Sequence, residues 1–202
     1  MTRTLLRTLL LALSLVAGTA ACAGDVEDGN AAFFRRDYAT ALRKYKSAAA
    51  RGDEDAQHNL GTMYVQGKGV VQDYAEAMRW YKLSAAQGNS AAQRAVGLMY
   101  LQGQGVVQSN AEAIHWFWLA AEQGEAAAQS NLGYMYSTGY GVAPNIVFAH
   151  MWYNLAVANG DTTAVKNRDS TAEQMSIQQI AKAQKMARDC QARNFKNCNA
   201  LF

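Results

Sequence analysis

The sequence has 202 residues, is 50% hydrophobic, and contains 16 glycines but a single proline. This composition excludes a largely disordered chain and favours helices joined by tight turns over a loop-rich β fold. The formal net charge is +3, and without residues 1–23 it falls to 17 − 16 = +1. A nearly neutral chain with no basic stripe before residue 165 is not expected to bind nucleic acid.

Residues 1–23 have the pattern of a secretory signal peptide, because two arginines precede the apolar run 9–16 and the small-residue stretch AGTAACAG. The apolar run is shorter than the roughly 18 residues that a membrane span needs. Cleavage after Ala23 would remove Cys22, whereas cleavage before Cys22 would leave it as the lipidated N-terminus of an outer-membrane lipoprotein. Both alternatives predict an exported bacterial protein, periplasmic or secreted, and it is bound to a membrane only if Cys22 is lipidated.

Three segments, 53–88, 89–124 and 125–160, repeat the same pattern with a period of 36 residues. Such a period is typical of stacked structural repeats. In each segment the apolar spacing predicts a helix, a glycine-bearing loop and a second helix, with the tryptophans in the core. A glycine recurs inside each first helix, where it costs about 1 kcal/mol relative to alanine. We therefore expect a close approach of the partner helix there. The recurring residues are Gly61, Gly97, Gly133 and Trp80, Trp116, Trp152.

The loop Gly67-Lys68-Gly69 resembles a phosphate-binding loop, but the surrounding pattern excludes that interpretation. It follows a predicted helix rather than a strand and lacks the Gly-Lys-Ser/Thr ending. Lys68 is replaced by Gln104 and Tyr140 in the other repeats. The glycines are instead expected to supply positive φ where the first helix ends.

The pattern A-x-x-x-L-G-x-M-Y-x-x-G-x-G-V followed by A-x-x-W-Y resembles the Sel1-like repeat, a relative of the tetratricopeptide repeat, over residues 53–160. This resemblance implies an all-α fold, an α/α solenoid in which antiparallel helix pairs form a right-handed superhelix. Residues 25–52 look like a tetratricopeptide-style entry repeat, since Tyr45 keeps step with Tyr81. Residues 161–202 are predicted to be a C-terminal helical cap with a solvated outer face.

Cys190 and Cys198 lie eight positions apart in this cap. In an exported protein with two mature cysteines, a disulfide is the expected state, although a redox-active pair is an alternative. The histidines form no metal-ligating pattern, and no nucleophile-base motif is present. We therefore predict neither catalytic residues, nor a metal site, nor a cofactor. The resemblance implies one alternative, because cysteine-rich secreted members have been described as β-lactam-binding or hydrolysing proteins.

The predicted function is that of a scaffold, expected to be monomeric, that binds a protein or peptide partner. In stacked helix pairs the first helices line the concave surface. Resemblance to tetratricopeptide grooves implies that asparagine and arginine there hold a peptide backbone or a terminal carboxylate. A merely solvated face is the alternative. The candidate face is the side of the first helices opposite the packing stripe: His58, Asn59, Thr62, Gln66, Arg94, Leu98, Gln102, Ser130, Asn131 and Tyr134.

Overall fold

The computed structural model describes residues 24–198, so the predicted signal peptide and Cys22 lie outside it. Within this range the chain forms ten α-helices and no β-strand, the all-α repeat fold that the sequence predicts. The helices are α1 (24–34), α2 (Tyr38–Ala50), α3 (Glu54–Gln66), α4 (Tyr74–Ala86), α5 (Ser90–Gln102), α6 (Asn110–Ala121), α7 (Ala126–Thr138), α8 (Ile146–Ala158), α9 (Ala164–Ala172) and α10 (Ile177–Ala192). The chain divides after Gln87 into a first unit, ending with α4, and a second unit, beginning before α5.

Side chains cap the start of each first helix of the three repeats. Asp53, Asn89 and Glu125 each accept a hydrogen bond from the backbone N–H three residues further on. These caps satisfy N–H groups that have no partner inside the helix. The other ends of these helices are glycines with φ of 64°, 68° and 81°, at Gly67, Gly103 and Gly139. The glycine loops are therefore helix C-caps, as the sequence predicts.

The glycine inside each first helix makes room for an aromatic ring of the second helix. A Cβ atom added at Gly61 would lie 2.6 Å from the Tyr81 ring, and one added at Gly97 would lie 2.6 Å from the Phe117 ring. Gly133 stands in the same relation to Tyr153, at 2.7 Å. The expected close approach is thus made by a ring rather than by the partner backbone alone.

A buried glutamine in each first helix joins neighbouring elements. Gln129 is fully buried, donates from Nε2 to the Ala121 carbonyl at 3.2 Å, and accepts from Asn159 Nδ2 at 2.9 Å. Gln57 donates to the Ala49 carbonyl at 3.3 Å and accepts from Gln87 Nε2 at 2.8 Å. Because residue 57 begins α3 and residue 87 follows α4, these bonds also show that the pair is antiparallel.

In the first unit, ion pairs and hydrogen bonds hold α1 against α2. Asp25 accepts hydrogen bonds from Lys44 Nζ at 2.9 Å, Arg51 Nη2 at 2.6 Å and Ser47 Oγ at 3.0 Å. These bonds hold the pKa of the Asp25 carboxyl far below its ordinary value. Lys68 lies over the Phe33 ring, with Nζ 4.9 Å from its centroid, so its ammonium makes a cation–π contact.

The second unit has the larger aromatic core. Trp152 is fully buried and meets Trp118 edge-on with centroids 4.8 Å apart. Trp80 in the first unit and Trp116 in the second are half-buried, and all three repeat tryptophans have buried indole nitrogens. The predicted core assignment therefore holds fully at Trp152 and in part at the other two.

Helices α9 and α10 both pack on α8, and a disulfide closes the end of α10. Cys190 and Cys198 are both fully buried, with Cα atoms 5.1 Å apart, and form the predicted disulfide. The closed loop packs Phe195 against the core of the second unit, and the Asn197 N–H donates to Glu122 Oε1 at 3.3 Å. Among the described helices, none has both the length and the apolar composition needed to cross a lipid bilayer.

Candidate peptide-binding face

On the candidate face of α3, the side-chain amide of Asn59 pairs with that of Asn30 from α1. Asn59 Nδ2 donates to Asn30 Oδ1 at 3.1 Å, and the Tyr45 hydroxyl donates to the same oxygen at 2.7 Å. Burial raises the pKa of the Tyr45 phenol, which keeps it protonated as a donor. Within residues 24–198, Asn30 Nδ2 and Asn59 Oδ1 have no hydrogen-bond partner. The pair therefore offers a donor nitrogen, Asn30 Nδ2, and an acceptor oxygen, Asn59 Oδ1.

These amides lie in a pocket of about 170 Å³ between α1 and α3. Phe33 and Phe34 form its apolar wall, and Phe34 is 85% exposed. The full lining is Asn30, Phe33, Phe34, Tyr45, Asn59 and Thr62. A concave site with an apolar wall and a few polar groups is typical of a ligand pocket.

Two predicted residues of α3 contribute to packing instead. The Thr62 hydroxyl donates to the His58 carbonyl at 3.2 Å and lies 3.0 Å from the Tyr81 hydroxyl. The His58 ring lies 5.5 Å from the Tyr81 ring. Gln66 is exposed at the end of the helix. On this helix, then, Asn59 lines the pocket, Gln66 faces solvent, and Thr62 lines the pocket while it also packs against Tyr81.

In the second unit, Arg94 is held by an ion pair. Its Nε donates to Glu125 Oε1 at 3.2 Å, and Glu125 also caps α7 by accepting the Ala128 N–H. The guanidinium thus already has a carboxylate partner inside the protein, which competes with the predicted role of holding a ligand carboxylate. Leu98, from the same helix, packs against the core of the second unit.

The candidate face of α7 is aromatic. Tyr134 is 45% exposed and stacks on Tyr140 with ring centroids 5.9 Å apart. Both rings line a second pocket, of about 220 Å³, with Leu101, Gln108 and Asn110. Ser130 and Asn131 are half-buried, and Gln102 is exposed at the end of α5.

Within residues 24–198, no group of three or more His, Cys, Asp or Glu side chains is arranged to hold a metal ion. The most buried histidine, His150, has its pKa lowered by burial and by nearby Arg168. It bonds Asn154 at 2.8 Å, away from the candidate face.

Sequence reasoning missed Asn30, Phe33 and Tyr45 as pocket residues. A signal was present, because Asn30 follows Gly29 just as Thr62 follows Gly61. An added Cβ at Gly29 would lie 2.6 Å from the Tyr45 ring, the same relation that the repeats show. The entry segment therefore shares the glycine–aromatic contact of the repeats.

Comparison with known proteins identifies the repeats. The Sel1 repeat family model matches residues 54–89, 90–125 and 126–161. A crystal structure of a Sel1 repeat protein from Oxalobacter formigenes is similar with a TM-score of 0.67 and 31% identity, over 71% of this chain and 57% of that one. A protective antigen of uropathogenic Escherichia coli strains with an SLR fold is similar with a TM-score of 0.71 and 32% identity, over 81% of this chain and 36% of that one. The chain thus spans less than two thirds of either structure, and no curated protein matches it.

Proposed function

Because the chain belongs to the Sel1 repeat family, whose members are helical scaffolds for protein interactions, we propose that it is an exported scaffold that binds an extended peptide segment of a partner protein. Binding takes place on the candidate face of the first unit, in the pocket between α1 and α3. The pocket has a volume of about 170 Å³, which suits one or two side chains of an extended peptide better than the surface of a folded domain.

The observation that carries the proposal is the amide pair. A peptide unit has one N–H donor and one C=O acceptor, and Asn59 Oδ1 and Asn30 Nδ2 offer the complementary acceptor and donor. Tyr45 fixes the Asn30 amide by its bond of 2.7 Å to Oδ1. Phe33 and Phe34 then provide the apolar wall for a side chain of the same peptide.

We propose a separate binding contact, within the second unit alone, through Asn131 and Tyr134. Tyr134 is half exposed beside a pocket, whereas Arg94 is paired with Glu125. An Arg94 substitution would disturb the cap of α7 as well as any ligand contact. Variants at Asn131 and Tyr134 are therefore better tests of this part of the face.

Export is supported by the N-terminal pattern and by the buried disulfide, since disulfides persist in oxidising compartments. Asp25 already takes part in the fold through Lys44 and Arg51. Cleavage after Ala23 would therefore leave the contacts between α1 and α2 intact.

The test is selection of linear peptides from a random display library, followed by affinity measurement by fluorescence anisotropy. Asn59→Ala removes the free acceptor and is expected to weaken the selected peptides about tenfold, because a bound N–H then loses its partner. Arg43→Ala, at an exposed position of α2 outside both the pocket and the candidate face, is the control and should not change the affinity. Failure to select any peptide, or equal weakening by both variants, would contradict the proposal.

A further inference from the structure

A third pocket, with a mostly polar lining, lies between α8 and α10, on helices other than those of the candidate face. Its volume is about 250 Å³. Asn154 and Ala158 contribute from α8, and Gln184, Ala187, Arg188 and Gln191 contribute from α10. The residues from α10 share one helix face because they are spaced i, i+3, i+4 and i+7. The lining has one guanidinium, three amides and two small apolar side chains, and no carboxylate.

The guanidinium of Arg188 is available to a ligand. Arg188 is exposed and lies in no ion pair within residues 24–198. The nearest acid in sequence, Asp189, is instead bound by Lys185 Nζ at 2.7 Å. The pocket therefore has at its edge a guanidinium that makes no ion pair in the described residues, although the Asp189 carboxylate interacts with it electrostatically.

The amides of the pocket are also uncommitted, apart from one bond that orients Asn154. Asn154 Nδ2 lies 2.8 Å from His150 Nδ1, and His150 is buried. Since an amide nitrogen can only donate, this contact leaves Asn154 Oδ1 as a free acceptor. In the described part of the chain, Gln184 and Gln191 make no side-chain hydrogen bond.

The wall formed by α10 is firmly held. Ala183, Met186, Ala187 and Cys190 are buried on its inner side, and the disulfide to Cys198 fixes the helix end beside Gln191. A site on rigid elements loses little conformational entropy when a ligand binds. The pocket is thus preformed rather than a gap between mobile segments.

We propose that this pocket binds the carboxyl-terminal end of a peptide. Arg188 would hold the terminal carboxylate, for which the guanidinium fork is well matched. Asn154 Oδ1 would accept the last peptide N–H, and the exposed Ala158 would contact a small side chain. No lining residue is aromatic, which disfavours a sugar ring, and the absence of a carboxylate disfavours a cation.

The experiment is an NMR titration of the purified, ¹⁵N-labelled protein with N-acetyl-dialanine. We expect amide shifts at Ala158, Ala187 and Gln191, and at least tenfold weaker binding of the same peptide with its carboxyl end amidated. Acetate should bind at least tenfold more weakly too, because it lacks the peptide N–H. Equal binding of the amidated peptide or of acetate, or no shifts at these residues, would overturn the proposal.

Variants separate a specific site from general charge attraction. Arg188→Gln should weaken N-acetyl-dialanine at least tenfold, whereas Arg193→Gln, an exposed arginine of the same region outside the pocket, should leave it unchanged. Equal losses in both would overturn the proposal. Both positions are exposed, so unfolding curves should coincide with the wild type. Asn59→Ala should not alter this binding, which keeps the result distinct from that for the candidate face.

Discussion

The two sides of the first helices differ in how closely they repeat from one helix to the next. On the side that meets the second helix, glycine faces an aromatic ring in every repeat, and a buried glutamine recurs at residues 57, 93 and 129. On the candidate face, one position is Thr62 and Leu98, both half-buried, and then Tyr134, which is exposed. Full burial against a neighbour fixes volume and hydrogen-bonding capacity, whereas a half-buried or exposed position fixes them less closely. The positions that repeat are therefore those that the fold requires, whereas the positions that vary between repeats are those at which a binding function can differ.

The largest loss of stability is expected when a side chain is added at the glycine that contacts an aromatic ring. Gly97→Ala would gain about 1 kcal/mol from helix propensity alone. Because its Cβ would lie 2.6 Å from the buried Phe117 ring, we expect instead a loss of about 2 kcal/mol from overpacking. Urea unfolding followed by circular dichroism measures the difference. In a Phe117→Leu background the loss should shrink, and a stabilising Gly97→Ala would contradict the contact.

Removing a buried glutamine should cost slightly less. Gln129→Leu deletes the bonds to the Ala121 carbonyl and to Asn159. We expect a loss of about 1.5 kcal/mol in the free energy of unfolding, since buried polar groups lose their partners. Gln102→Leu, an exposed position at the end of α5, is the matched control and should change stability by less than about 0.5 kcal/mol. Similar losses in the two variants would show that the glutamine bonds contribute little.

The second helices also contain a departure from the repeat, at His150 in α8, and its effect should depend on pH. His150 is buried where the earlier repeats have Met78 and Ile114. Burial, with a contribution from Arg168, lowers its pKa below the ordinary 6.5. Well above pH 6.5, His150 is neutral in both the folded and the unfolded chain. As the pH falls below 6.5, the unfolded chain takes up a proton on His150 before the folded chain does, so the free energy of unfolding decreases. His150→Met should remove this slope in unfolding curves recorded between pH 5 and 7. An unchanged slope would assign the dependence to other groups.

The smallest expected effect is on the candidate face itself. Gln66→Ala should change the free energy of unfolding by less than about 0.5 kcal/mol, because the side chain is exposed. Thermal unfolding provides the measurement. A loss above 1 kcal/mol would mean that this side of α3 is part of the fold and not a free surface.

Much of the fold could be predicted because packing imposes a period. The 36-residue spacing identified the helix pairs, and the glycine loops end their helices as predicted. The contact between Gly61 and the Tyr81 ring was not predicted, because the recurrence of glycine indicates a close contact but does not identify the group that makes it. The equivalent glycine of the entry segment, Gly29, was not predicted, because the loop of that segment is shorter than the loops of the repeats.

The candidate site was less predictable, since availability depends on distances that a sequence does not contain. Arg94 has the chemistry of a carboxylate ligand but is paired with Glu125 at 3.2 Å, from a residue 31 positions away. Asn30 had no assigned role until the structure placed it beside Asn59.

The measurement that tests the central claim most directly is hydrogen–deuterium exchange, read by mass spectrometry, of the protein with and without a selected peptide. The account predicts added protection in the segments that contain Asn30 to Phe34 and Asn59 to Thr62, with none in α4. Protection confined to α4, or an unchanged exchange pattern at saturating peptide, would contradict binding on the candidate face.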